Sequence, residues 1–142
     1  MWQRIQTLLL AVATGLIVSL FWCDVAQYVC SDGTVAGIRY AEHKICLVWI
    51  IILTVLQVIS LGGFKWRMKQ FRMVIVTLVM CLGFQGFLVY LFLEGRGSLI
   101  FSPTALFPFV AAVLDGFAAR NILIDEALVQ SAARLRLPRK KH

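Results

Sequence analysis

Four apolar stretches separated by short polar connections organise the chain: Ile5 to Trp22, Ile45 to Leu61, Met73 to Leu93 and Ala105 to Ile124. Each is close to the roughly 20 residues with which a helix crosses about 30 Å of hydrocarbon. None alternates between apolar and polar positions as a barrel strand does. In lipid every backbone amide needs a partner within its own segment, so the four stretches are expected to be helices. The pattern predicts an all-α membrane protein. Residues 1–124 form a bundle of four transmembrane helices, and residues 125–142 form a cytoplasmic tail.

The first stretch is expected to be retained rather than removed as a leader. Ala11 and Ala13 lie inside the apolar run, and Phe21 and Trp22 are too bulky for a cleavage site just before Cys23. Between the first two spans, Val25 to Cys30 and Thr34 to Tyr40 are rich in β-branched and aromatic residues. Ser31, Asp32 and Gly33 separate them with an Asp-Gly pair that suits a tight turn, so this loop is predicted to be a short exterior β-hairpin. An extended strand would hold Cys23 and Cys30 about 23 Å apart, whereas a disulfide needs Cα atoms within about 7 Å. The hairpin therefore predicts two free thiols there, and Cys46 and Cys81 are expected to be small packing residues within spans.

Charge decides the orientation. Arg4, the Lys65, Arg67, Lys69 and Arg72 connection, and the tail residues Arg134, Arg136, Arg139, Lys140 and Lys141 fall on one side of an even number of spans. Only Arg39, Lys44 and Arg96 fall on the other, beside Asp24, Asp32, Glu42 and Glu94. Positive charge is retained on the cytoplasmic side, so both termini are expected there. Composition agrees with a membrane protein: 61% of residues are hydrophobic and 15% charged, far from the roughly half and quarter of soluble domains. The net charge of +7 and isoelectric point near 9.7 follow from a basic inner face that suits anionic lipid. Interleaved aromatics and recognisable nucleic-acid modules are missing from the tail, so nucleic acid is not an expected partner.

The fourth span carries the most informative residues. On the membrane-insertion scale an apolar side chain such as Leu106, Phe107 or Val110 contributes about −0.3 to −0.6 kcal/mol, and a central Asp costs about 2.5 to 3.5. Leu106, Phe107, Phe109, Val110, Val113, Leu114 and Phe117 together nearly cancel the cost of Asp115, so the helix is expected to lean on its neighbours. Asp115 then faces the bundle, with Ala111, Ala112, Gly116 and Ala119 allowing close approach. Asp115, Gln57, Gln85 and Arg120 are the candidates for an intramembrane polar site, with Gln57 and Gln85 as alternative partners for the acid. Asp115 and Arg120 stand five apart and do not share a helix face. Pro108 belongs either to the first turn of this helix or to a kink, if the helix begins at Pro103. Beyond it, Ile124, Leu128, Ala132 and Leu135 recur at helical spacing, so the helix is expected to continue as an amphipathic segment until Pro138. Asp125, Glu126, Arg134 and Arg136, with Lys65, Arg67, Lys69 and Arg72, are the candidate contacts to a partner or to lipid.

The two ends, Trp2-Gln-Arg-Ile-Gln-Thr7 and Ala119-Arg-Asn-Ile-Leu-Ile-Asp-Glu-Ala-Leu-Val-Gln-Ser-Ala-Ala-Arg-Leu-Arg136, resemble those of an uncharacterised family of bacterial four-helix membrane proteins, domain of unknown function 4293. The resemblance implies a multi-pass protein of the bacterial inner membrane and no assigned activity. The chain departs from the family pattern at Leu123, Ile124, Gln130 and Ala133, which are uncharged where that pattern is charged. A C-x-x-C pair, a nucleophile with its base, a metal cluster and a phosphate loop are all missing. The sequence therefore points to a non-enzyme without cofactor or metal, an accessory or scaffold subunit partnered by the bilayer and by another membrane protein or further copies of itself. The alternative expectation is a small transporter or channel using Asp115.

Overall fold

The computed structural model describes residues 2–94 and 99–136, with the backbone alone at Trp2, Gln3, Phe64, Arg67 and Leu99. The predicted roles of Arg96, Pro138, Arg139, Lys140 and Lys141 lie outside the described residues. Seven elements follow in order: α1 (Trp2–Ser19), β1 (Asp24–Val29), β2 (Val35–Arg39), α2 (Lys44–Gly62), α3 (Arg67–Glu94), β3 (Leu99–Phe101) and α4 (Phe107–Arg136). The fold is mostly helical, and α2, α3 and the helical run Pro103–Arg136 are each long and apolar enough to cross a membrane.

The four helices share one burial rule. Buried residues recur at steps of four and three: Gln6, Leu10, Ala13 and Ile17 on α1 with Leu20 just past its end, and Cys46, Ile50, Leu53, Gln57 and Ser60 on α2. On α3 they are Gln70, Val74, Thr77, Cys81, Phe84 and Leu88. On α4 the pattern widens to Ala111, Ala112, Asp115, Ala118, Ala119 and Ile122. A repeat of 3.5 residues keeps one seam facing its neighbours along nearly antiparallel helices. Each helix packs on two others: α1 and α3 both against α2 and α4. The faces away from this seam are apolar, with Val48, Ile52, Val55, Val79, Phe109 and Phe117 among many exposed large side chains. Polar side chains are thus inside and hydrocarbon outside.

Several expected boundaries shift. The first apolar stretch reaches Trp22, but α1 ends at Ser19, and Leu20 to Cys23 continue as tight turns, each amide bonding the carbonyl three residues back. As an apolar helix α1 is shorter than the other three. The basic connection expected from Lys65 to Arg72 is a single 3-10 turn, Gly63–Lys65, and Arg67, Lys69 and Arg72 already lie on α3. Arg, Met, Lys and Gln are good helix formers, so α3 starts before its hydrophobic part does. Pro103 opens a 3-10 turn, Pro103–Leu106, and Pro108 sits in the first turn of α4, where a missing amide hydrogen costs nothing. Pro108 thus stands in the first turn of α4, after a 3-10 turn that begins at Pro103.

At the end opposite the basic turn, β1 and β2 form the expected hairpin, with Val29 facing Val35. Gly33 takes φ 74°, the left-handed conformation that its lack of a Cβ permits. The hairpin is part of something larger. β3, from the connection between α3 and α4, pairs antiparallel with β1 and gives a three-stranded sheet of order β2-β1-β3. Thr104 Oγ1 donates to the Asp24 carbonyl at 2.7 Å and fastens the sheet to the start of α4. Val25, Ala26 and the fully buried Tyr40 join the same core as Ile17, Ile50 and Phe84, so the sheet caps the helix ends. All four cysteines are free.

Candidate functional site

The seam positions of α2 and α4 meet across the middle of the helices. There Gln57 Nε2 donates a hydrogen bond to Asp115 Oδ2 at 2.8 Å, and both side chains are 0% exposed. The amide oxygen of Gln57, Oε1, and the second carboxyl oxygen of Asp115, Oδ1, are buried without a hydrogen-bond partner. A buried polar atom left unpaired costs about 1–3 kcal/mol. The arrangement is therefore an amide and a carboxyl joined on one side and open on the other.

Polar groups continue from this pair toward one end. Thr77, fully buried, returns its hydroxyl to the Met73 carbonyl at 2.9 Å. Ser60 Oγ is buried without a partner, while the Ser60 carbonyl accepts from Gln70 Nε2 at 3.2 Å. Gln6 Nε2 donates to Asp125 Oδ2 at 3.0 Å and ties the start of α1 to α4. Toward the sheet the interior is aromatic instead: Trp49 stacks on Phe87 at 5.9 Å, lies 5.8 Å from Phe84 and donates from Nε1 to the Met80 carbonyl at 3.3 Å. The buried polar side chains thus lie in the half away from the sheet, beside an apolar cluster of Leu10, Val74 and Ile122, and the aromatic rings in the half beneath it.

Of the four candidates for an intramembrane site, Gln57 and Asp115 come together and the other two do not. Gln85 is half-buried on α3 with its Oε1 unpartnered, because it follows the seam residue Phe84 by one position and points about 100° away from it. Arg120 is exposed on the outer face of α4. Gln6, Ser60, Gln70 and Thr77 complete the interior polar set and were not singled out by sequence. The signal available was their place in the four-and-three repeat, with Gln6 at the head of α1 and Gln70 at the foot of α3.

The candidate contact residues lie at the end where α1 begins. Lys65, Lys69 and Arg72 are exposed there, with Lys69 Nζ 4.3 Å above the centre of the Trp66 ring; the Arg67 side chain is outside the described residues. Asp125 is taken up by Gln6. Glu126 accepts from Gln130 Nε2 at 3.3 Å. Arg134 and Arg136 occupy the last turn of α4, where positive charge complements the helix dipole. From Ala127 onward every described residue of α4 is exposed, including Leu128 at 58% and Leu135 at 88%. α4 runs on without a break past Ile122, its last buried residue, into this free segment.

Neither the curated proteins nor the solved structures contain a match to the chain. A family model described as Domain of unknown function (DUF4293) matches residues 2–135. That match takes in all four helices, the sheet, the Gln57–Asp115 pair and the free end of α4, and the chain belongs to this uncharacterised family.

Proposed function

We propose that the protein is a four-span subunit of the bacterial inner membrane, with both termini cytoplasmic, that is not itself a catalyst and docks a partner through the free end of α4. The observation that carries this reading is that end: a helix continuing from Ala127 to Arg136 with every residue exposed. Ten residues of helix extend about 15 Å beyond the packed seam. Because the segment is collinear with a spanning helix, it projects from the bilayer rather than lying along it. Its exposed Leu128 and Leu135 stand seven apart on one face, the spacing of anchors that seat a helix in a partner's groove.

The inside-out distribution of polarity supports the membrane reading, because a soluble protein does not surround buried Gln57 and Asp115 with exposed Val, Ile and Phe. α1 takes part as a fourth span despite its shorter apolar length, since Gln6 at its start meets Asp125 and Leu20 at its end joins the core beneath the sheet. The charge bias of the two ends then sets the orientation.

Deleting residues 127–142 tests the docking reading. That deletion leaves both the Gln6–Asp125 bond and Glu126 in place. Affinity purification from native membranes is expected to yield a stoichiometric protein partner with the full chain and to lose it with the truncation. A partner retained by the truncated chain would contradict the proposal.

A second reading, a small transporter, is favoured by one observation: the open side of the Gln57–Asp115 pair. A buried carboxyl with an unpaired oxygen, bonded to a glutamine whose amide oxygen is also unpaired, offers a place for a proton or a small cation. Asp115→Asn would then abolish flux in reconstituted vesicles, and an unchanged flux would remove the acid from any transport mechanism.

A further inference from the structure

Two concavities flank a ridge formed by Trp66, Lys69 and Arg72 at the start of α3. One, of about 390 Å³, runs against α2 and is lined beyond the ridge by Ile59, Gly63, Gln70 and Met73. The other, of about 520 Å³, faces α4 and adds Lys65, Met68 and Glu126 to the ridge residues. The first is apolar in its walls and the second is basic. Between them Lys69 lies over the Trp66 ring, with its charge on the ridge.

We propose that this paired site binds one anionic phospholipid, an acyl chain in the apolar groove beside Ile59 and Met73 and the phosphodiester between Lys65, Lys69 and Arg72. The inference rests on the membrane reading above. Charge complementarity commits the occupant: three cations against the single carboxylate of Glu126 leave the basic concavity at +2, suited to a phosphate. Glu126 accepts a hydrogen bond from a hydroxylated headgroup such as glycerol. The apolar groove gives the acyl chain a place that a soluble phosphate does not use. Trp66, 64% exposed, sits where the amphipathic indole favours the headgroup layer. Basic pockets at the cytoplasmic ends of spanning helices are suited to anionic headgroups through the same charge attraction.

The test is native mass spectrometry of the full chain in detergent with added phosphatidylglycerol or phosphatidylcholine, each with and without excess inorganic phosphate. The expected result is a one-to-one phosphatidylglycerol adduct, weakened about 30-fold in Lys69→Gln/Arg72→Gln at about fivefold per basic residue lost. Arg39→Gln/Lys44→Gln removes the same charge at the opposite end of the bundle and is expected to leave the adduct unchanged. Equal weakening by both pairs would reduce the site to bulk charge and overturn the proposal. So would equal binding of phosphatidylcholine, or displacement of the lipid by inorganic phosphate. A protein that stays in solution without detergent would instead refute the membrane reading, while one that needs detergent and shows no lipid preference refutes the lipid site alone.

Discussion

Replacing Asp115 with Asn is expected to stabilise the fold, an unusual sign for a change at a fully buried position. In the native pair Gln57 Nε2 donates to Asp115 Oδ2 at 2.8 Å, and Gln57 Oε1 and Asp115 Oδ1 are both buried without a partner. Asparagine has nearly the same shape, keeps a carbonyl for the Gln57 amide and turns an N–H toward the unpaired Gln57 oxygen. One hydrogen bond is gained, worth about 1 kcal/mol in water-soluble proteins and about 0.6 in membrane helices. A gain of roughly 0.5–1.5 kcal/mol is the expected range. Gln57→Leu acts in the opposite direction. It removes the one side-chain donor to the carboxyl among the described residues, which costs about 1–3 kcal/mol, and is partly offset because the unpaired Gln57 oxygen is removed as well. A net loss near 1 kcal/mol is expected. Reversible unfolding of the purified protein in mixed micelles, titrated with dodecyl sulfate, measures both. A less stable Asp115→Asn, or a Gln57→Leu equal to the native chain, would refute this account of the pair.

Three further expectations follow from local geometry. Trp49→Ala removes a ring stacked on Phe87 and its bond to the Met80 carbonyl; a loss of about 2–3 kcal/mol is expected in the same unfolding assay, the low end for an aromatic because lipid or detergent fills part of the space. Gly33→Ala places a Cβ on a residue at φ 74° and is expected to cost about 1–2 kcal/mol, read as faster proteolysis of the sheet with the helices intact. Burial pushes the Tyr40 hydroxyl well above the ordinary phenol range. The unfolded chain therefore releases this proton near pH 10 and the folded chain does not, so this contribution is full below about pH 10 and falls as pH rises beyond it. Tyr40→Phe is expected to flatten that decline, and parallel curves for the two proteins would show that Tyr40 carries none of it.

Hydropathy made the helices legible because each must present an apolar surface along its whole length, but it marks where hydrocarbon begins and not where a helix does. α3 accordingly starts at Arg67, well before the first apolar residue of its span. β3 escaped notice because three residues, Leu99–Phe101, are too few to show a period of two; only its pairing with β1 identifies it. The buried acid stood out from sequence, while the choice between Gln57 and Gln85 needed register. Gln57 continues the run Cys46, Ile50, Leu53 at steps of four and three, whereas Gln85 sits one residue off the run through Cys81, Phe84 and Leu88. The same repeat held the information for Gln6, Ser60, Gln70 and Thr77. Function was the least legible, since Leu128 and Leu135 differ from the other exposed apolar residues of the helices only in lying past the end of the packed seam.

The claim on which the rest depends is that the sheet and the free end of α4 lie on opposite sides of a membrane. Cys30 is exposed on the sheet and Ser131 on the helical extension, so a membrane-impermeant maleimide applied to intact spheroplasts reads both sides. The native chain is expected to be labelled at Cys30. A Cys23→Ser/Cys30→Ser chain carrying Ser131→Cys is expected to be labelled only after the membrane is opened. Labelling of position 131 in sealed spheroplasts, or protection of Cys30 until lysis, would contradict the topology and with it the account.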